Sequence, residues 1–168
     1  MIQVYTGNGK GKTTSSLGLI IRALGHNWRV CLIQFMKNDW SYGEIKTLSK
    51  LQGLDIFQFG TKDFVNPKNP AAIDFQEAES GWAKAKEILI SDKYQLVVLD
   101  EINVAVFMKL LSVEKQLELC DLAGKAELVM TGRYADEQVI ARADLVTEMR
   151  EQKHYFNQGV ASRKGIEF

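Results

Sequence analysis

The chain has 168 residues, 46% hydrophobic and 25% charged, a length and balance that fit one soluble domain with a core of its own. Lys+Arg and Asp+Glu stand at 21 each, so no global field draws it to nucleic acid or an anionic membrane, and local basic clusters must gather any anionic ligand. Cys31 and Cys120 are too few and too scattered for a zinc site; both lie in apolar runs and read as buried free thiols of a reducing compartment.

No basic-then-apolar leader precedes Ile2-Gln3-Val4-Tyr5 and no apolar run approaches a membrane span, which points to the cytoplasm. Ile2–Tyr5 reads as a short strand running into the glycine-rich stretch TGNGKGKTT, Thr6 to Thr14. Leu17, Ile20, Ile21 and Leu24 recur at i, i+3, i+4 and i+7, which predicts an amphipathic helix stopped at Gly25. Val30–Phe35 reads as a buried strand and Leu54–Phe59 as a further short strand. Residues 60–70, GTKDFVNPKNP, hold both prolines of the chain and read as a loop. Ala72–Leu89 is expected to be helical, with Phe75, Trp82 and Ile88 among its apolar positions. Leu96–Leu99 is a buried strand ending in Asp100-Glu101, Val113–Leu122 a helix, and Leu128–Met130 a strand ending at Thr131-Gly132-Arg133. A short helix over Asp136–Ala143 and a last strand over Leu145–Met149 follow. The tail from His154 to Phe168 is mixed in character and is expected to fold back over a sheet edge. Trp28 and Trp82 read as core or interface packing. With no repeat or linker in view, residues 1–168 read as a single domain.

Strands alternating with helices predict an α/β fold with a mostly parallel sheet flanked by helices. Ligands of such sheets sit beyond the carboxyl ends of the strands. Three chemically loaded segments fall there: 6–14, 100–101 and 131–133.

The first resembles the phosphate-binding pattern G-x-x-x-x-G-K-[ST], displaced by one residue. Counting back from Gly11-Lys12-Thr13, the first glycine belongs at position 6, where Thr6 stands; the glycine arrives at Gly7. Gly7, Gly9 and Gly11 permit a tight turn whose amides, with the helix N-terminus behind them, face a phosphate. Lys10 and Lys12 supply cations, and the Thr13 hydroxyl is placed to bind Mg2+ (or Mn2+). The candidate nucleotide-binding set is Thr6, Gly7, Asn8, Gly9, Lys10, Gly11, Lys12, Thr13 and Thr14. The strand ending in Asp100 and Glu101 delivers carboxylates toward the same metal, and Arg133 offers a guanidinium suited to bidentate phosphate contact. Neither histidine, His26 or His154, lies in these motifs. Phosphoryl transfer to an alcohol or water wants a base near the γ-phosphate, a place Glu101 can fill.

Together these residues resemble the ATP:corrinoid adenosyltransferases of the P-loop type, which act on cob(I)yrinic acid a,c-diamide and cob(I)alamin. The resemblance covers nearly the whole chain: TGNGKGKTT at 6–14, Q-F-x-K at 34–37 with Trp40 and Gly43-Glu44, VVLDE at 97–101, TGR at 131–133, ADLVTEM at 143–149, Lys153-His154, Gly159 and Gly165-Ile166-Glu167-Phe168. It implies a RecA-like, P-loop NTPase-like three-layer fold. It also implies that a cobalt(I) corrinoid attacks the 5′ carbon of ATP, which lies reversed in the loop, and that the triphosphate leaves whole. Cobalt(I) is already a strong nucleophile, so no general base is needed. The protein's task is then to hold C5′ in line, neutralise the departing triphosphate and exclude water and oxidants. Lys12, Thr13 and Glu101 are the expected catalytic residues, Thr13, Glu101 and Asp100 the expected metal ligands, and Lys10 and Arg133 further phosphate contacts. On the corrinoid side the family packs a pair of aromatics two residues apart, in a loop corresponding to 60–66. Phe64 fits one place, with Asn66 at the other; slipped by one residue, the places fall on Asp63 and Val65. Phe64 is thus either a corrinoid contact or a loop aromatic tucked into the core, and Trp40 either a wall of the corrinoid pocket or a loop anchor. Many members carry an N-terminal extension over the site, and this chain starts at the first strand, which implies a more open site, one closed by a partner subunit, or weaker corrinoid binding. A homodimer and a reduced flavoprotein electron donor are implied as well. A P-loop small-molecule kinase and a non-catalytic ATP-binding regulatory module remain as alternatives.

Overall fold

Six strands, every neighbouring pair parallel, form one sheet in the order β3-β2-β4-β5-β1-β6. The structure, a computed structural model, describes residues 1–168. The strands are β1 (Ile2–Thr6), β2 (Val30–Phe35), β3 (Leu54–Phe59), β4 (Leu96–Asp100), β5 (Glu127–Thr131) and β6 (Leu145–Glu148). The helices are α1 (Lys12–Leu24), α2 (Gly43–Leu48), α3 (Ala72–Ile90), α4 (Ile102–Phe107), α5 (Val113–Leu122) and α6 (Glu137–Arg142), with a 3-10 turn at Tyr155–Gln158. One strand, β5, separates β1 from β4. The carboxyl ends therefore share one edge, and the three loaded segments meet there.

Burial on both faces explains the near-continuous apolar runs of β2 and β4. The pleat sends alternate residues to opposite sides. Val30, Leu32, Leu96, Val98 and Val129 pack with Ile20 and Ala23 of α1 and Ile45 and Leu48 of α2. Cys31, Ile33, Phe35, Val97, Leu99, Leu128 and Met130 pack on the other side with α3, α4 and α5. Fully burying one such side chain contributes roughly 1.5–3 kcal/mol. Both cysteines are free and buried, and burial pushes the thiols up to about 12 at Cys31 and about 11 at Cys120.

Four details differ from the sequence expectation. The buried face of α1 is Lys12, Ser16, Ile20 and Ala23, and Ile21 is left 56% exposed. Leu17 and Leu24 still pack partly buried against the core beside this face. The helix stops at Gly25, its C-cap, as expected, but Gly25 keeps right-handed helical geometry; the left-handed residue is Asn27, after which the Trp28 N–H closes on the Ala23 carbonyl at 3.1 Å. The six-residue helices α2 and α4 were not expected; α4 is apolar at all but one position, which leaves no 3.6-residue pattern to read. Trp28 lies at the surface, whereas Trp82 packs against the core, its indole N–H donating to the Lys115 carbonyl at 3.1 Å and its ring beneath the Lys86 and Lys115 ammoniums.

Candidate active site

The displaced phosphate pattern has a structural reason. Thr6 is the last residue of β1, paired in register with Glu148 of β6, and its hydroxyl accepts from the Ala135 N–H at 3.3 Å. It faces a small recess beside Tyr134, Ile140 and Val146, away from the main cavity, so position 6 belongs to the sheet and the turn begins at Gly7. Gly7 has φ 92° and Gly11 φ 121°, a left-handed region that only glycine enters freely. The glycines also admit a neighbour. The Gly9 N–H donates to the Met149 carbonyl at 2.7 Å, and a Cβ on Gly7 or Gly9 would run into the Met149–Arg150 backbone.

Inside this turn the buried Lys12 ammonium donates to the carbonyls of Gly7 at 2.7 Å and Gly9 at 2.8 Å. Burial and the Arg133 charge lower its pKa. The other loop lysine points elsewhere: Lys10 donates to Tyr155 Oη at 3.1 Å, the Ile166 carbonyl at 3.0 Å and Glu167 Oε1 at 2.7 Å. Its charge is turned to the tail, which folds over the phosphate loop.

A polar row crosses the sheet at the carboxyl edge. Asp100, fully buried at the tip of β4, accepts through Oδ1 from Thr13 Oγ1 at 2.9 Å and Thr131 Oγ1 at 2.7 Å. Its Oδ2 accepts from Gln34 Nε2 at 3.0 Å and Lys37 Nζ at 2.7 Å. Gln34 Oε1 in turn accepts from Gln58 of β3 at 2.9 Å, and Thr131 Oγ1 from the Glu101 N–H at 3.1 Å. Burial alone would raise the Asp100 pKa, but the Lys37 charge and the bonds from Lys37, Thr131 and Thr13 hold it below the usual carboxylate value. Lys37 is affected in reverse: burial depresses it, while Asp100 and Glu101 outweigh burial and raise it. Glu101 follows in the left-handed region at φ 65°, a conformation that costs a non-glycine residue about 1–3 kcal/mol. Burial and the Asp100 charge push its carboxyl above the usual range, against Lys37, Lys12 and Arg133.

This donor set fits a hard divalent cation in one particular way. The Thr13 hydroxyl spends its hydrogen on Asp100 and keeps lone pairs free, and no hydrogen bond reaches the Glu101 carboxylate at the cavity wall. Asp100, also expected as a ligand, reaches Thr13 through Oδ1. Each of its oxygens already accepts two donors in a site with no exposed surface, so it orients Thr13.

Beyond the row opens a cavity of about 940 Å3. Its walls are the phosphate loop from Asn8 to Thr14, segments 35–39 and 42–44, loop 61–65, Glu101, Arg133, His154 and the tail segment Gly165–Phe168. Arg133 reaches this wall from an exposed position after Gly132. Phe64 lines the cavity and is 100% exposed; the loop residue that packs on the core is Val65. Trp40 is 52% exposed and outside the lining, where Tyr42 is the aromatic of its segment. Sequence reasoning left out His154, which the folded-back tail carries to the cavity wall, and gave no role to Gln34, Lys37 or Thr131. A signal for Gln34 was present: a lone amide in an otherwise apolar buried strand needs a partner.

A parallel α/β sheet with a glycine-rich turn after β1, acidic residues at the β4 tip and one strand between them defines a three-layer protein of the P-loop NTPase-like class. Residues 1–168 match the family described as ATP:corrinoid adenosyltransferase BtuR/CobO/CobP, and the chain belongs to that family. It is 37% identical over 172 residues to a corrinoid adenosyltransferase of Sinorhizobium sp, covering all of this chain and 80% of that protein. Corrinoid adenosyltransferases of Pseudomonas aeruginosa and Escherichia coli K12 are 34% and 33% identical, again over all of this chain and over 83% and 85% of theirs. No helix is long and apolar enough to cross a membrane.

Proposed function

We propose that this protein is an enzyme that transfers the 5′-deoxyadenosyl group of ATP to the cobalt(I) of a reduced corrinoid, giving adenosylcorrinoid and triphosphate. The observation that carries the reading is one cavity of about 940 Å3 with the phosphate loop as one wall. That volume is near the upper end of the ~300–1,000 Å3 usual for ligand sites, room for a nucleotide and part of a second, larger substrate.

The cobalt lone pair forms the new bond to C5′, the C5′–O bond breaks, and its electron pair leaves with the triphosphate. The protein has no proton to move at the reacting carbon; its work is charge and position. Lys12, the amides of Asn8 and of residues 10–14 and Arg133 take up the negative charge of the departing triphosphate. Thr13 and Glu101 hold Mg2+ (or Mn2+), with Asp100 orienting Thr13. That ion supplies further charge neutralisation at the phosphates. Phe64 faces the corrinoid from the loop opposite, and Trp40 stands at the outer edge of the same mouth. A single working domain over residues 1–168, a homodimer, a cytoplasmic setting and a reduced flavoprotein donor complete the reading, and these rest on family membership alone.

The test is anaerobic incubation with MgATP and a chemically reduced corrinoid, followed by product identification. Light-sensitive adenosylcorrinoid with stoichiometric triphosphate is expected. ADP formed with an acceptor would make the protein a kinase, and nucleotide binding without turnover a non-catalytic module.

A further inference from the structure

Residues Arg163–Phe168 fold back across the phosphate loop and are organised as a unit. The Gly165 N–H donates to the Phe168 carbonyl at 2.7 Å, the Glu167 N–H to the Arg163 carbonyl at 3.0 Å, and the Arg163 N–H to Glu167 Oε2 at 2.7 Å. Gly165, Ile166, Glu167 and Phe168 face the cavity. The polar attachment of this unit to the body of the protein is narrow and runs through Lys10, which donates to Ile166, Glu167 and Tyr155. The Tyr155 hydroxyl donates to the same Glu167 oxygen. At the far end the Phe168 ring lies 6.4 Å from that of Tyr42, across the mouth from the phosphate loop.

A lysine ammonium has three N–H donors. All three of Lys10's are spent on this segment and on Tyr155, while Lys12 turns inward on the loop carbonyls. The two lysines that look alike in TGNGKGKTT are thus divided by geometry. We propose that Arg163–Phe168 is a strap that closes on the corrinoid, that Lys10 and Glu167 are the positioning pair that fastens it, and that Lys10 is not a phosphate ligand. The inference rests on the adenosyltransferase reading for the identity of the substrate. Ile166 and Phe168 are 56% and 42% exposed, apolar surface that a large macrocycle with apolar faces would cover. Side-chain exposure of the pair is 40% for Lys10 and 19% for Glu167. Exposed ion pairs are weak and screened by salt, so this fastening yields readily to admit and release a bulky substrate.

The experiment compares Lys10→Met, Glu167→Gln and the double variant with the unaltered protein. Corrinoid KM, ATP KM and kcat are measured, together with the rate of tryptic cleavage after Arg163 and Lys164 in nucleotide-free protein. Each single change is expected to raise corrinoid KM about fivefold, the scale of one exposed ion pair, and by more than it lowers kcat. ATP KM stays close to that of the unaltered protein, the double variant is no worse than either single one, and trypsin cuts faster in all three. A loss of about a hundredfold in kcat or ATP affinity confined to Lys10→Met would make Lys10 a phosphate ligand and overturn the proposal. So would additive losses in the double variant, or an unchanged corrinoid KM in both single variants. If the unaltered protein makes no adenosylcorrinoid at all, the adenosyltransferase reading falls, and tryptic rates alone then decide whether the pair fastens the strap.

Discussion

Lys37 Nζ lies 2.7 Å from Asp100 Oδ2, which makes Asp100, the carboxylate that orients Thr13, half of an ion pair with no exposed surface on the acid side. A charge in that position is tolerable only because Lys37, Gln34, Thr13 and Thr131 together satisfy both oxygens. Asp100→Asn leaves the Lys37 ammonium without its counter-charge, and loss of one partner of a buried pair costs about 3–5 kcal/mol. The expected outcome is a lower urea midpoint with unchanged slope, and weaker nucleotide binding, because the amide NH2 must face one donor pair, Thr13 with Thr131 or Gln34 with Lys37. Because Asp100 is depressed in the fold, its contribution is present above the ordinary carboxylate pKa and is lost as the pH falls through the folded value. The stability gap between Asp100→Asn and the unaltered protein should therefore narrow in acid.

Lys12 is buried in the glycine-rich turn and held by two loop carbonyls; the proposed function makes it the cation that meets the phosphates. Lys12→Ala is expected to lower kcat by about a hundredfold or more, corresponding to roughly 3 kcal/mol of lost transition-state stabilisation. Lys12→Arg does not restore it, since a planar guanidinium cannot replace a compact ammonium between the Gly7 and Gly9 carbonyls. Anaerobic turnover with reduced corrinoid checks both, and near-normal turnover of the alanine variant would remove the loop from the chemistry.

Much of this architecture was legible in the sequence because it follows from burial. Val30–Phe35 and Leu54–Phe59 were read to the residue: β2 is buried throughout and apolar but for Gln34, and the half-buried edge strand β3 keeps Leu54, Ile56, Phe57 and Phe59 between turn formers. The phosphate turn and the Asp100-Glu101 tip were legible from glycine and carboxylate placement. What escaped depends on partners distant in the chain. That Lys10 serves the tail was hidden because Glu167 lies 157 residues away. The Asp100 row was hidden because Gln34 and Thr131 come from strands brought beside β4 only by the sheet order. His154 at the cavity wall likewise needs the folded-back tail, which carries no periodicity to read.

The phosphate turn depends on Gly7 and Gly9 through the neighbouring backbone as much as through any ligand. A methyl at position 7 meets the Met149 carbonyl in a conformation at φ 92°, and one at position 9 lies 2.9 Å from the Arg150 carbonyl carbon. Neither obstacle is a flexible side-chain end, so the loop and the segment after β6 must part. Gly7→Ala and Gly9→Ala are each expected to destabilise the protein by about 1–3 kcal/mol and to weaken ATP binding. Thermal unfolding and nucleotide titration measure the two effects, and an unchanged ATP affinity in both variants would show that the loop does not need this packing to bind.

Glu101 carries a stability cost that the proposed metal site would account for. Burial and the Asp100 charge raise its pKa in the fold, so the folded protein holds its proton to higher pH than the unfolded chain does. The sign follows: stability from this group is greatest below the ordinary glutamate pKa and falls as the pH rises through the raised folded value. Above that folded value the ionised carboxylate is therefore a burden, and one that a bound divalent cation would relieve. Glu101→Gln removes the charge while keeping the shape, so the metal-free variant should melt higher than the unaltered protein at pH 7, with the gap closing in acid. The same variant should lose turnover and the stabilisation that added Mg2+ gives the unaltered protein. Thermal unfolding of metal-free protein across pH, with and without MgATP, measures both, and a variant that melts lower at pH 7 would mean that the Glu101 carboxylate is held by favourable contacts rather than strained by burial.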